Sequence, residues 1–343
     1  MRASRHIVVV LALSLGALGA GAAEAAQAQP RGWEGLRLWP GQPLRTVGAG
    51  STSPALAIGE EQLFLGEINQ GAVYISELVP DTGGASWTKL VAAGASGRDR
   101  RDLHAAVVGK TVWLAWLEAP AGTPETAPRA LMLAGFRLEP QTATEAVAVA
   151  NTRQGAIAEH NAQLWLAWLG PPESNSLSLS AGPEQNGFVV NWQPPSPGSL
   201  SGLGLADFGA DLLIPYVTEA AGQASLWQAS YNGHRFHGVR KLRGTGHLGP
   251  LAAARLQTRA LILYTLFVGE APGVGNLVLT VSDAVGAGLS STEYLADGNT
   301  NLRPSLAVAE RTVWLAYNAW SAPPETSGAK NLGLFLGKIE LGL

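Results

Sequence analysis

The stretch Val112-Trp113-Leu114-Ala115-Trp116 decides the fold, because its pattern returns five more times along the chain. The other copies read LFLGE at 63–67, LWLAW at 164–168, LLIPY at 212–216, LILYT at 261–265 and VWLAY at 313–317. Their second positions, Phe64, Trp113, Trp165, Leu213, Ile262 and Trp314, are spaced by 49, 52, 48, 49 and 52 residues. A period near 50 held over five intervals is the mark of a radial array, and four short strands per unit make a propeller blade. The segments are apolar on successive residues, as expected of strands packed on both faces.

Each unit reads further in both directions. A small-residue strand precedes the signature, seen as SPALAIGEEQ, DLHAAVVGKT, GAIAEHNAQ, GLGLADFGAD, GPLAAARLQT and RPSLAVAERT. Small side chains suit the crowded strand nearest an axis on which six units converge. Short polar turns such as Gly59-Glu60-Glu61, Gly109-Lys110 and His160-Asn161 link it to the signature strand. A third strand with alternation follows (AVYISEL, ALMLAGFRL, LSLSA, SLWQASY, LVLTVSD, LGLFLGKIEL), and a fourth ends the unit. The sixth unit stops after its third strand at Leu343, while LRLWPGQPLRTVG at 36–48 stands unpaired before the first. Pairing the two closes the ring and hides the sheet edge. The expected fold is all-β: a six-bladed β-propeller of four-stranded blades, the last closed by the N-terminal strand.

Composition narrows the setting. Arg2, Arg5 and His6 precede an apolar run from Ile7 to Ala23, and Ala-x-Ala sites allow cleavage after Ala25 or Ala28. Residues 1–25 therefore read as a signal peptide and 26–343 as a single domain, exported to the periplasm or the extracellular space. There is no cysteine, which excludes disulfides, thiolate metal sites and a cysteine nucleophile. Without Arg2, Arg5 and Glu24 the chain carries 21 basic and 25 acidic residues, too balanced for nucleic acid. No later apolar run is long enough for a transmembrane segment. Charged residues at 14%, 42 glycines and 11 tryptophans fit tight turns and buried sheet faces.

The repeat geometry, the small-residue first strand and the aromatic second strand resemble the sialidase-like (BNR-repeat) β-propellers. Many members carry an Asp-box, Ser-x-Asp-x-Gly-x-x-Trp, between third and fourth strands. Decayed versions stand here at Asp81-Thr82-Gly83 with Trp87 and at Ser230-Tyr231-Asn232-Gly233 with Phe236. The resemblance implies glycosidase chemistry from an arginine triad on a substrate carboxylate, an Asp acid/base and a Tyr nucleophile activated by Glu. Asp99 or Asp102 and Tyr216 or Tyr317 are the residues available for the last two roles, but the early Arg-Ile-Pro motif is absent.

Two loop sets meet on one face of such a ring, fourth strand to next first strand and second strand to third, and ligand sites favour them. The first set supplies the candidate ligand-binding residues: Arg101, Asp102, His104, Arg153, Arg243, His247, Asn301 and Arg303. Arginines from different blades suit a carboxylate through planar, bidentate donors. The second set repeatedly offers glutamate, at Glu118, Glu125, Glu173, Glu219, Glu270 and Glu325. Trp116, Trp168, Tyr216 and Tyr317, at the signature ends, offer either sugar stacking or core packing.

Other patterns are set aside. Gly244-Thr245-Gly246-His247-Leu248-Gly249 precedes a strand rather than opening a helix, so it is no dinucleotide loop. Asp297-Gly298-Asn299-Thr300-Asn301 lacks the glycine and terminal glutamate of a calcium loop, and His234 and His237 lack a third ligand. No catalytic residue, metal or cofactor is assigned. The expected function is a non-catalytic ligand-binding or protein-interaction scaffold, its partner a carbohydrate, an anionic small ligand or another envelope protein. A sialidase-like hydrolase and a structural subunit of an envelope or membrane complex are the alternatives.

Overall fold

Each repeat forms one antiparallel sheet in which the signature segment is the second strand. The structure, a computed structural model, describes residues 36–45, 53–79, 84–124, 126–182, 189–244, 247–267, 275–283, 289–296, 304–309, 312–320 and 331–341. The expected leader, Asp81-Thr82-Gly83 and the 297–301 segment lie outside these residues, as do Asn301 and Arg303.

Blade one comprises Pro54–Gly59, Gln62–Asn69, Ala72–Val79 and Gly84–Ala92, in order from the axis outward. Blade two follows with Arg98–Val108, Thr111–Pro120, Arg129–Arg137 and Val147–Thr152, and blade three with Gly155–His160, Gln163–Leu169, Leu177–Ala181 and Val189–Trp192. The inner strand of blade four is broken into Ser199–Leu203 and Ala206–Phe208, backed by Asp211–Ala220, Gln223–Tyr231 and Phe236–Gly244. Blade five holds His247–Leu256, Arg259–Phe267, Gly275–Asp283 and Leu289–Ala296. Blade six has Ser305–Ala309, Thr312–Trp320 and Asn331–Leu341, and Leu36–Arg45 is its fourth strand. That strand runs antiparallel to the last one, from Leu36 opposite Leu341 to Arg45 opposite Leu334. The ring is latched as the sequence predicts.

Between each pair of neighbouring blades lies a hydrophobic cluster. Trp116, Phe64, Ile75 and Phe136 join blades one and two. Leu117, Leu133, Ile157 and Leu166 join two and three. Leu179, Leu203, Tyr216 and Tyr231 fill the third interface, and Val217, Leu226, Ile262 and Tyr264 the fourth. Leu261, Leu279, Leu306 and Leu315 pack five on six, and Leu56, Leu65, Trp314 and Leu336 pack six back on one. Unbroken apolar segments follow from this arrangement, since a second strand buries both faces. Each large side chain so buried contributes about 2–3 kcal/mol.

The register explains the small inner strands. Opposite the second signature residue of every blade stands an alanine: Ala57, Ala106, Ala158, Ala206, Ala253 and Ala307. Six residues at one height around one axis have room for little more than a methyl group each. At Gly59 even that is too much, because an added Cβ would overlap Cγ1 of Val107 in the next blade.

One decayed Asp-box retains its structural work. Asn232 Oδ1 accepts the backbone N–H groups of His234 and Arg235 at 3.1 and 3.0 Å, while Gly233 adopts φ +85°. Phe236 stacks on Trp192 with centroids 4.3 Å apart. The side-chain amide thus replaces the carboxylate as the acceptor that pins the turn.

Candidate functional site

The inner strands begin at one face of the ring and end at the other, so the axial passage has two distinct mouths. The loop face carries Arg101, Asp102, Arg153, Arg243 and His247, the predicted residues other than His104 that are described. In blade two the inner strand starts early, with Arg98, Asp99, Arg100 and Arg101 paired opposite Pro120, Ala119, Glu118 and Leu117. Successive side chains alternate between faces of the sheet. Arg100 Nε donates to Glu118 Oε2 at 2.7 Å, and Arg98 lies 3.7 Å from the same carboxylate. Arg100 also donates from Nη1 to the Gly71 and Ala93 carbonyls, both at 2.8 Å, and lies over the Trp116 ring. These contacts tie blade two to blade one.

On the other side of the strand Asp99 receives two arginines, Arg101 at 2.9 Å and Arg129 at 3.0 Å. The Arg129 side chain is 1% exposed and donates to the Thr123 carbonyl at 3.0 Å. Burial lowers its pKa from the usual arginine value, the Arg101 charge pushes the same way, and Asp99 opposes both. Past Arg101 the register breaks. Asp102 takes φ +52° and its N–H reaches Ser53 Oγ at 3.3 Å, which returns His104 to the ladder beside the axis.

The other predicted arginines serve neighbouring blades. Arg153, in the turn entering blade three, donates to the Leu200 carbonyl of blade four at 3.2 Å. Arg243, at the end of blade four, lies 3.4 Å from the Tyr264 hydroxyl of blade five, which meets Thr280 Oγ1 at 3.1 Å. His247 opens blade five, half-buried and paired with Phe267. Arg101, Arg153 and Arg243 thus each engage a different group of the protein: a carboxylate, a carbonyl and a phenol.

The signature aromatics are mostly core. Trp116 and Tyr216 are fully buried, and Trp168 and Tyr317 are half-buried. Tyr216 stacks on Trp227 and meets Trp192 edge-on, and Tyr317 stacks on Phe335. Burial raises the hydroxyl pKa of both tyrosines, with Ser196 opposing it at Tyr216. His237 Nε2 faces Asp211 Oδ2 at 3.3 Å, and no group of three or more metal-ligating side chains occurs among the described residues.

The passage itself is uneven. Near the loop face it narrows to a throat of about 40 Å³, lined by His104, Leu103, Gly204, Leu205, Leu251 and Pro304 among others. Beyond the alanine ring it widens into a chamber of about 520 Å³ that opens at the hairpin face, where inner and second strands are joined. Glu159, Asp207, Arg255 and Gln257 line this chamber together with aliphatic residues from all six blades. In the sequence these four sit inside segments that otherwise read as small-residue strands, which hides them. The departure from small residues in GAIAEH, ADF and AAARLQ was the available signal.

A closed ring of six antiparallel sheets defines a six-bladed β-propeller of sialidase-like architecture. No protein-family model matches the sequence, and no curated protein matches it. Among solved structures the chain is similar to a protein of unknown function from Dyadobacter fermentans, with TM-score 0.67 and 12% identity over 90% of this chain and 99% of that one. It is also similar to the Hadza microbial sialidase Hz136, with TM-score 0.61 and 11% identity over 88% of this chain and 68% of that one. A third likeness is to the SapL1 lectin in complex with alpha methyl fucoside, at TM-score 0.50 and 12% identity over 86% of this chain and 99% of the lectin. At these identities the likeness is one of fold.

Proposed function

We propose that the protein is a non-catalytic binding module, exported from the cytoplasm, which holds a carbohydrate or an anionic small ligand at the loop face around Arg101, Asp102 and His104. One observation carries this reading: Asp99, Arg101 and Arg129 are locked together in blade two, while of the two tyrosines available as nucleophiles Tyr216 is buried and Tyr317 is stacked on Phe335. Prefixed polar groups favour binding by lowering the ordering cost. A nucleophile, by contrast, must reach its substrate and be activated by a base. The sialidase and lectin likenesses support a carbohydrate as the first ligand class to try, since similar structures include a Trypanosoma rangeli sialidase in complex with 2,3-difluorosialic acid and the SapL1 lectin in complex with alpha methyl fucoside.

The experiment is a glycan array with the wild-type protein, Arg101→Ala and His104→Ala. Binding by the wild type that both variants lose supports the reading; retention in both removes the loop face as the site. Release of sialic acid from a fluorogenic sialoside would overturn the non-catalytic assignment. Signal cleavage is read separately, from the N-terminal residue of protein recovered from an exporting host.

A further inference from the structure

The chamber at the hairpin face is a site independent of the loop face, and its walls differ in kind from one side to the other. One residue after each ring alanine, blades one, two and six present Ile58, Val107 and Val308, while blades three and four present Glu159 and Asp207. Arg255 of blade five completes the polar half. A volume of about 520 Å³ falls among small-molecule sites, which run roughly 300–1,000 Å³.

The two carboxylates of the polar half differ in their partners. Asp207 is held by His160 Nδ1 at 2.7 Å and by Arg255 Nη1 at 3.5 Å. Asn161 Nδ2 lies 2.9 Å from His160 Nε2, so both ring nitrogens of His160 are engaged by neighbouring side chains. Arg255 is occupied: its Nε donates to the Gln257 carbonyl at 2.6 Å and its guanidinium lies over Phe208. Glu159 takes the Ala162 N–H on Oε1 at 2.7 Å and has no cation within ion-pair distance among the described residues. Among the described residues Glu159 is therefore the chamber carboxylate without a cationic partner, with an aliphatic wall across the cavity.

We infer that this chamber binds a small organic monocation, an amine on an aliphatic stem, with the ammonium on Glu159 and the stem against Val107, Ile58 and Val308. An anion would have to draw Arg255 away from Asp207. A neutral sugar would leave the Glu159 charge uncompensated and half the chamber wall without apolar partners.

Calorimetric titration with n-hexylamine, sodium hexanoate and methyl glucoside tests it on the full chain at neutral pH. The expected result is one-site binding of hexylamine in preference to both others. Glu159→Gln, which keeps an acceptor for Ala162, should weaken hexylamine about tenfold or more through loss of the charge pair. Val107→Gln should weaken it by removing part of the aliphatic wall. Arg101→Ala, at the opposite mouth, should leave it unchanged, so failure here and failure of the loop-face reading are separable. Preference for hexanoate or the glucoside, equal hexylamine affinity in Glu159→Gln, or no heat with any probe at millimolar concentration would each overturn the inference. Thermal unfolding of each variant confirms that folding is retained.

Discussion

Ser305 Oγ accepts the backbone N–H of Leu56 at 2.7 Å, a bond between residues 249 positions apart that stitches the inner strand of blade six to that of blade one. It lies at the seam where the ring closes, beside the Leu56, Leu65, Trp314 and Leu336 cluster. Ser305→Ala leaves the Leu56 N–H in a part-buried position without its acceptor. The expected loss is about 1–3 kcal/mol, read as a lower urea midpoint at unchanged slope.

Deleting residues 36–45 tests the same seam from the outside. The Asn331–Leu341 strand then presents an unpaired edge, which templates association with other chains. Size-exclusion chromatography should show concentration-dependent oligomers, and a synthetic peptide of residues 36–45 should return the monomer. A monodisperse truncated protein with wild-type stability would show that the strand is dispensable.

Between blades one and two, Trp116 is fully buried against Phe64 and Phe136. Trp116→Ala should cost about 3–5 kcal/mol, as other large-to-small core changes do. Trp168→Ala, at the equivalent but half-buried place in blade three, should cost visibly less in the same denaturation series. Gly59→Ala presses on Val107 from the opposite direction and should destabilise by about 1–3 kcal/mol through overpacking.

Alkaline pH acts through the buried phenols. Tyr216, Tyr231 and Tyr317 have their pKa raised above the usual 10.0 by burial. The unfolded chain releases these protons near pH 10 while the folded chain retains them, so the unfolded state binds fewer protons above that point. Stability is complete below pH 10 and falls as pH rises past it toward the folded values. Tyr317→Phe should flatten the alkaline limb of a melting-temperature profile, and tyrosinate absorbance should appear together with unfolding.

Asp99 holds Arg101 and the buried Arg129 together. Asp99→Ala should destabilise more than Arg101→Ala, because it leaves a desolvated guanidinium without its counter-charge. With Asp99 partly open to solvent and Thr123 still accepting from Arg129, the loss should be about 2 kcal/mol rather than the full penalty of a buried ion. Chemical denaturation of both variants gives the comparison directly.

The architecture was legible in the sequence because its determinants are local and repeated. Phe64, Trp113, Trp165, Leu213, Ile262 and Trp314 mark one register position, and the structure sets an alanine opposite each. Strand closure was legible because one unit lacked a strand that another stretch could supply. What stayed hidden depends on distances between blades. Arg153 reads as a free loop cation until the Leu200 carbonyl of the next blade is placed beside it. Arg101, expected in a loop, sits inside a strand because the alternation of Arg98 to Arg101 continues the ladder with Leu117–Pro120. The chamber at the hairpin face was invisible for a further reason: Glu159, Asp207 and Arg255 gain meaning only when three blades turn them toward one axis.

The latch between Leu36–Arg45 and Asn331–Leu341 also fixes an order of events. Leu36–Arg45 is made before the strands of the other five blades and its partner Asn331–Leu341 after them, so a nascent chain carries blade six incomplete while those blades are being made. Long-range pairing of this kind is slow, and the open intermediate exposes two bare edges at once. Yield in a producing cell should therefore depend less on the finished ring's stability than on how well those edges are shielded while the chain is being made.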